Sequence, residues 1–243
     1  MLRGIARRSL SWAGRRIYVQ MTYKFRGRTY GESAAECDLE PFLKRLQPTE
    51  YIILVALLVS IGAMGTGIML PALDEIGRAL SVGDANVVQF IISLFSLGMG
   101  VGQLLVGPLS DRFGRKPVIY VGYEVFVAGC LLSLTTESWA IMLTGRFLQG
   151  VGAAAPRVVS VALVWDEYEG RAMARIMSIV MAVFILVPIT APALGQGLIF
   201  LGGWRATFLG LTALVILVKI WFALRQPETL LRADRRPLNL SKI

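Results

Sequence analysis

Long apolar runs separated by short charged segments dominate the chain from residue 51 onward. The runs do not alternate polar with apolar positions, so they are typical of membrane helices and not of the strands of a barrel. At about 1.5 Å per residue, the shortest run, of 18 residues, covers about 27 Å, close to the hydrocarbon thickness of a bilayer. We predict six transmembrane helices over residues 51–73, 86–108, 117–134, 139–164, 172–201 and 204–224.

Composition favours an all-α integral membrane protein. Hydrophobic residues make up 55% of the 243 and charged residues only 17%, and the mean hydropathy is +0.63. A net charge of +9 would suit nucleic acid only on a basic face of a soluble domain, and here the charges lie in loops and tails, so we predict no nucleic-acid partner. The chain has no histidine and no Gly-x-Ser-x-Gly segment, so we expect neither an enzyme nor a metal or cofactor site.

The distribution of lysine and arginine predicts the orientation in the membrane. Twenty of these residues lie in the N-terminal arm, the two loops at 109–117 and 165–175, and the C-terminal tail, whereas only Arg78 and Arg205 lie on the opposite side. Basic residues accumulate in cytoplasmic loops, so both termini are expected in the cytoplasm.

Three regions are expected: a basic cytoplasmic arm over 1–48, a six-helix membrane domain over 49–224, and a basic cytoplasmic tail over 225–243. The arm has no acidic residue before Glu32, which resembles an organelle transit peptide but equally suits an arm drawn to anionic lipid headgroups. Met21 is an alternative start to Met1.

The segment after the second run reads GPLSDRFGRKP, residues 107–117. Its dense charge must lie outside the hydrocarbon, and we expect Gly107 and Gly114 to allow a tight reversal that Pro117 follows by opening the next helix. The spacing resembles the signature loop between the second and third helices of major facilitator superfamily transporters, Gly-x-Leu-(Ala/Ser)-Asp-Arg-x-Gly-Arg-(Lys/Arg). The matching residues are Gly107, Leu109, Ser110, Asp111, Arg112, Gly114, Arg115 and Lys116. An ordinary basic loop would not explain the glycine spacing.

This resemblance implies a fold and a role for the loop. Major facilitator transporters carry two six-helix halves, and the chain resembles the N-terminal half bundle with its 3+3 inverted repeats. The loop would gate access from the cytoplasm, with Asp111 and Arg112 as a latch that pairs with neighbouring helix ends, including some in the second half.

The first run contains GAMGTGIMLPAL, residues 62–73, which resembles the Bcr/CflA branch of drug:proton antiporters in this superfamily. Thr66, Leu70, Pro71, Ala72 and Leu73 match that branch. The branch places a proton-binding acid where this chain has Gly67. Close helix packing is the alternative explanation for a glycine at this position.

The fourth run contains RFLQGVGAAA, which resembles a second motif of the family and implies a role in proton coupling for Arg146, or in holding a carboxylate. An anchor at the outer interface is the alternative. Gln149, one turn further, is expected to line the same cavity, and Gly150 and Gly152 are expected to allow close helix contact.

Glu124 and Arg157 form a second pair of candidates. Both are expected about 10 to 14 Å from the cytoplasmic side, on consecutive antiparallel helices, so a salt bridge between them is geometrically possible. A structural ion pair is one interpretation. Glu124 is also the only carboxylate deep within a run, so it is the candidate substitute for the acid missing at Gly67.

The fifth run contains VPITAPALGQG, residues 187–197, which resembles the proline- and glycine-rich fifth-helix motif of antiporters. Pro188, Pro192, Gly195 and Gly197 carry the resemblance and imply a role in sealing the helix and in alternating access. A merely kinked packing helix is the alternative.

Together these features predict efflux of lipophilic or amphipathic small molecules in exchange for protons, by a multi-pass protein of the bacterial inner membrane. The partners expected are the lipid bilayer, the substrate, protons, and a second six-helix half or a second copy of the chain. The alternative is a truncated membrane protein without transport, or a six-helix scaffold that needs a partner half.

Overall fold

The computed structural model describes residues 48–226, and every regular element in that range is a helix. The helices are α1 (Pro48–Gly67), α2 (Leu73–Ala79), α3 (Ala85–Val88), α4 (Phe90–Phe113), α5 (Arg115–Thr135), α6 (Trp139–Glu167) and α7 (Gly170–Arg225), with a 3₁₀ turn at Leu70–Ala72. The predicted N-terminal arm and C-terminal tail, apart from their innermost positions, lie outside the described residues, as do both candidate start positions.

Helix α7 is two membrane segments joined at a break. As one straight helix its 56 residues would extend about 84 Å, far more than a bilayer core. The backbone leaves the helical region at Gly202 and at Gly203, where φ is 67° and glycine is favoured. We call the two segments α7a (170–201) and α7b (204–225).

Five helices are long and apolar enough to cross a membrane, and the break in α7 divides one of them in two. The six resulting segments are α1, α4, α5, α6, α7a and α7b. The prediction of an all-α, multi-pass membrane protein with six spans is therefore confirmed.

The predicted turn over 107–117 is much shorter than expected. Helix α4 continues to Phe113 and α5 begins at Arg115, so the reversal is confined to Gly114, whose φ is 107°. Gly107 lies within α4 and takes no part in the reversal, which corrects our expectation. Residues in a helix pair their backbone N–H and C=O groups with each other, and charged side chains do not prevent this pairing. The charged residues on both sides of Gly114 therefore remain helical. Pro117 lies in the first turn of α5, where its missing amide costs little.

Helix α6 lies at the centre of the bundle, pressed closely against α4 and α5. A Cβ atom built on Gly150 would lie 2.0 Å from the carbonyl oxygen of Phe95 in α4, and one built on Gly152 would lie 2.4 Å from the amide nitrogen of Phe126 in α5. Only glycine permits such approaches, so the small residues of the fourth run set the distances between these three helices.

The two segments of α7 both reach α1, which α7b does through the ion pair of Arg225 with Glu50, but their main packing partners differ. Segment α7a contacts α1, where Ile176 and Val180 join a buried cluster with Tyr51, Val55 and Val59. Segment α7b contacts α5, where the rings of Phe222 and Tyr120 meet edge to face with centroids 6.1 Å apart. The break at Gly202–Gly203 thus lets one continuous stretch of chain cover two sides of the bundle.

Candidate functional site

Arg146 is fully buried and binds three helices at once. In α6, its Nη1 donates to Oε1 of Gln149 at 2.6 Å, while Nε donates to the carbonyl of Ile91 in α4 at 3.2 Å. Nη2 donates to the carbonyl of Gly65 in α1 at 3.0 Å. The ring of Phe95 lies 4.7 Å from the guanidinium carbon and adds a cation–π contact.

The end of α1 explains why a carbonyl is available there. The amide of Met69 donates to the carbonyl of Thr66 at 3.2 Å in the 3₁₀ turn that follows. The carbonyl of Gly65 therefore lacks its usual donor four residues on, and Arg146 supplies one. Such a position differs from an anchor at the outer interface, because the whole side chain is enclosed by protein.

Gln149 extends this polar network into α5. Its Nε2 donates to Oγ of Ser133 at 3.4 Å, and both side chains are buried. The described partners of Arg146 are carbonyl and amide oxygens, and none of them is a carboxylate. The arrangement can hold three helices in register, whereas the proton-coupling role that the resemblance implies stays a prediction.

A cavity of about 220 Å³ lies among α1, α4, α6 and α7a, nearer the end of the bundle where α4 meets α5. Arg157 of α6 and Gln103 of α4 are its polar lining residues. The guanidinium carbon of Arg157 lies 5.2 Å from the ring centroid of Phe184 in α7a. The other walls are apolar, so the cavity offers an apolar volume with one cation and one amide.

Glu124 does not pair with Arg157, which corrects the salt bridge we considered. Its carboxylate instead binds Nζ of Lys219 in α7b, and the Glu124 side chain is 64% exposed on the outside of the bundle. Arg157 points into the cavity on the other side of α6 from α5. Spacing along the helices does not fix the direction in which a side chain points. The rotation of the two helices turns Glu124 toward Lys219 and Arg157 toward the cavity.

The end of the bundle where α4 meets α5, which we call the charged end, is closed by ion pairs centred on Arg115. Its Nη1 lies 2.7 Å from a carboxylate oxygen of Asp111, and its Nε lies 3.1 Å from one of Asp166 at the end of α6. Nη1 also donates to Oγ of Ser110 at 2.7 Å. Arg115 therefore ties α4, α5 and α6 together.

The other members of the predicted gating loop have different neighbours. Nζ of Lys116 donates to the carbonyls of Ala223 and Gln226, at 3.1 and 2.7 Å, and so caps the end of α7b. The exposed guanidinium of Arg112 lies 5.2 Å from the ring of Phe113, and none of the four ion pairs within residues 48–226 includes it.

Gly67 lies where α1 meets α7a. A Cβ atom built there would be 2.6 Å from Cβ of Ala191, and one built on Gly195 would be 2.3 Å from the carbonyl oxygen of Ile68. A carboxylate side chain at position 67 would push the helices apart, so close packing explains this glycine. Pro188 and Pro192 lie in α7a without interrupting its helical backbone, and nothing lies within 4 Å of a Cβ built on Gly197.

Sequence reasoning missed Gln103 and Phe184 as companions of Arg157, and Lys219 as the partner of Glu124. Lys219 carried a usable signal, because it lies six residues before Arg225 and hence at a depth similar to that of Glu124. Gln103 and Phe184 carried none, since an isolated glutamine or phenylalanine in a membrane helix has many possible surroundings.

Comparison with known proteins gives a consistent result. Residues 52–242 match the sequence profile described as the Major Facilitator Superfamily. Multidrug resistance protein D of Escherichia coli is 33% identical over 187 residues, which are 77% of this chain and 47% of that protein. A bicyclomycin resistance protein homolog of Haemophilus influenzae is 33% identical over 195 residues, covering 79% of this chain and 48% of that protein. The chain thus spans about half the length of the curated relatives it matches.

A solved structure shares the fold. The crystal structure of the human organic anion transporter MFSD10 (TETRAN) superposes with a TM-score of 0.61 at 21% identity, covering 79% of this chain and 51% of that one. At this identity the likeness concerns the helical arrangement alone.

Proposed function

The chain belongs to the major facilitator superfamily, and from that premise we propose that it forms the N-terminal half of a transport pathway that exports lipophilic or amphipathic compounds in exchange for protons. A membrane transporter, and not an enzyme, fits a chain of six apolar helices. The inner membrane of a bacterium is the proposed location, since the curated relatives described above come from bacteria.

The cavity among α1, α4, α6 and α7a is the observation that carries this proposal. Its apolar walls, with Arg157 and Gln103 as polar points, suit molecules that have both an oily body and a polar group. Further from the charged end, Arg146 and Gln149 join α6 to α1 and α4, which supply three of the four walls of the cavity.

We also propose that the loop around Gly114 governs access. Arg115 bridges Asp111 and Asp166, and the exposed Arg112 is available to a group outside the described residues. Breaking such charge-assisted contacts costs about 1 to 3 kcal/mol, enough to shift an equilibrium between two access states by tenfold or more.

For proton exchange, Glu124 is the carboxylate we propose, with Lys219 as its counter-ion. Protonation of Glu124 would neutralise one member of the pair and release the ammonium group of Lys219. The packing of Gly67 against Ala191 excludes a side-chain acid at that position without a shift of α7a.

A second six-helix half, or a second copy of this chain, is the proposed protein partner. Leu104 on α4 and Ile189 on α7a are 67% and 70% exposed. Gly100 of α4 and Gly197 of α7a have nothing within 4 Å of a built Cβ atom. Gly98 and Gly102 of α4 and Gly195 of α7a instead lie at close helix contacts, so the open Gly100 and Gly197 fit a surface that receives further helices.

Efflux of a fluorescent dye from energised cells that express the 243-residue chain tests the proposal. Export that an uncoupler abolishes is the expected result, with Asp111→Asn and Arg146→Ala each inserted in the membrane but unable to export. Absence of export despite confirmed insertion would contradict transport by this chain alone and favour the scaffold. Wild-type export by both variants would contradict the roles of Asp111 and Arg146.

A further inference from the structure

Among the described residues, the cation in the cavity has no acidic partner. None of the four ion pairs within residues 48–226 includes Arg157, and its contact in the cavity is the face of the Phe184 ring. The Oγ of Ser160 donates to the backbone carbonyl of Arg157 and not to its guanidinium. Glu124, the carboxylate at a similar depth, is taken by Lys219.

An unneutralised guanidinium inside a membrane helix is costly, because no counter-ion offsets its removal from bulk water. A ligand that brings a carboxylate, sulfonate or phosphate removes this cost, and a planar guanidinium presents paired donors to such groups. A cationic ligand would be repelled by Arg157, and a neutral one would leave it uncompensated.

The other walls specify the rest of the ligand. Val59 of α1, Val158 and Val161 of α6, and Met181 of α7a supply apolar surface, and the Phe184 ring offers a flat face. Gln103 adds an amide that donates to an acceptor oxygen. The volume of about 220 Å³ lies below the range of about 300 to 1,000 Å³ that is usual for drug-sized ligands, so it suits an apolar body of one or two rings.

We propose that this cavity selects amphipathic organic anions, with the acidic group on Arg157 and Gln103 and the apolar body against Phe184 and Met181. The inference rests on the proposed function, since it names the chemical class that the efflux site prefers. Arg157 then acts as a specificity-determining residue and not as a structural ion-pair member.

Equilibrium binding to the full chain in phosphatidylcholine nanodiscs tests this without requiring transport. The probes share one apolar body: naphthalene-2-carboxylate, naphthalene-2-carboxamide and 2-naphthylmethylammonium, each corrected for partition into empty nanodiscs. We expect the carboxylate to bind at least about tenfold more tightly than the carboxamide, because a hydrogen bond to a charged group is worth more than a neutral one. The ammonium probe should bind most weakly.

Three variants test whether the preference for the carboxylate probe arises at Arg157. Arg157→Gln should bind carboxylate and carboxamide equally, within about twofold, whereas Arg157→Lys should keep most of the preference because it keeps the charge. Arg205→Gln removes a cation at the opposite end of the bundle, where Arg205 donates to the carbonyl of Leu134, and should leave the preference unchanged.

Equal binding of carboxylate and carboxamide to the wild-type chain, or a preference that survives in Arg157→Gln, would overturn the inference. If Arg157→Gln misfolds and binds neither probe, the wild type and Arg157→Lys decide the question. A preference for carboxylate over carboxamide in both supports the site, and the absence of that preference in either overturns it. Carboxylate preference without cellular efflux would contradict only the proposed function, and efflux without the preference would contradict only this inference.

Discussion

At the residue scale, each charged or polar side chain of the membrane helices needs a partner because no water is there to bind it. Arg146 finds carbonyl oxygens that the end of α1 and the first turn of α4 present to it. Glu124 and Lys219 find each other on the outside of the bundle. Of these four charges, Arg157 is the one that lines the cavity. We therefore propose that Arg157 binds a ligand, whereas Arg146, Glu124 and Lys219 serve the packing of the helices or proton coupling.

Replacing Arg146 with alanine should lower the free energy of unfolding by about 3 kcal/mol or more, because buried oxygens of Gly65 and Gln149 lose their donor. Thermal unfolding in detergent measures this. Arg146→Lys should lie between wild type and alanine, since one ammonium cannot reproduce the three-way contact. Arg205→Ala, an exposed control, should cost less than about 1 kcal/mol; an equal loss in both alanine variants would contradict the assignment.

A double-mutant cycle checks the pairing of Glu124. Glu124→Gln or Lys219→Met alone leaves one charge facing lipid, at a cost of about 2 to 3 kcal/mol, and the double variant should be more stable than either. Reversible unfolding in bicelles gives the free energies. In a second cycle, the stability losses of Glu124→Gln and Arg157→Gln should add, because these residues do not contact each other. A coupling energy between Glu124 and Arg157, with none between Glu124 and Lys219, would show that Arg157 is the partner after all.

At the element scale, glycines on one helix have opposite roles according to the face they occupy. In α4, a Cβ on Gly98 would lie 2.2 Å from the carbonyl oxygen of Phe147 in α6, but one on Gly100 would meet nothing within 4 Å. The first fixes the approach of α4 to α6, and the second lies on the face we propose for a partner.

Alanine at these two positions gives a matched comparison two residues apart. Gly98→Ala should destabilise the chain by about 1 to 3 kcal/mol, because α4 and α6 must separate to admit the methyl group. Gly100→Ala should be neutral or gain up to about 1 kcal/mol from helix propensity. Unfolding of both variants in the same detergent provides the measurement, and a loss at Gly100 as large as that at Gly98 would show that α4 packs in another rotation.

At the scale of the whole molecule, the bundle is held at the charged end by Arg115 and Lys116 and toward the opposite end by Arg146, while broad apolar faces of α4 and α7a lie uncovered. The break at Gly202–Gly203 places α7a and α7b on different sides, so only α7a borders the cavity. In our proposal, this division separates a face for partner and substrate from a face for lipid.

Bulky substitutions distinguish these two faces. Gly197→Trp on α7a should leave folding of the chain intact but prevent its assembly and its dye efflux, because the open glycine surface would be filled. Val121→Trp on α5, at a side chain that is 63% exposed, should affect neither, since it faces lipid. Native electrophoresis and efflux assays read the two outcomes, and equal assembly by both variants would place the partner surface elsewhere.

The sequence by itself determined the class of the protein: six apolar segments, their approximate bounds, the family and the charged junction around Gly114. These properties depend on local composition and on spacing along one chain, and hydrocarbon imposes helices on any such segment. The resemblance also drew attention to Arg146 and Gln149, but it did not give their partners, and the proton-coupling role that it implies stays a prediction.

Only the tertiary structure decided which groups meet. Whether Glu124 contacts Arg157 or Lys219 depends on the rotation of each helix and on which helices are neighbours, and neither is encoded in residue spacing. The same holds for Gly67, whose meaning follows from Ala191 on the facing helix, and for the cavity, which requires Gln103, Arg157 and Phe184 from three helices to converge. Contacts between helices are non-local, so packing assigned them.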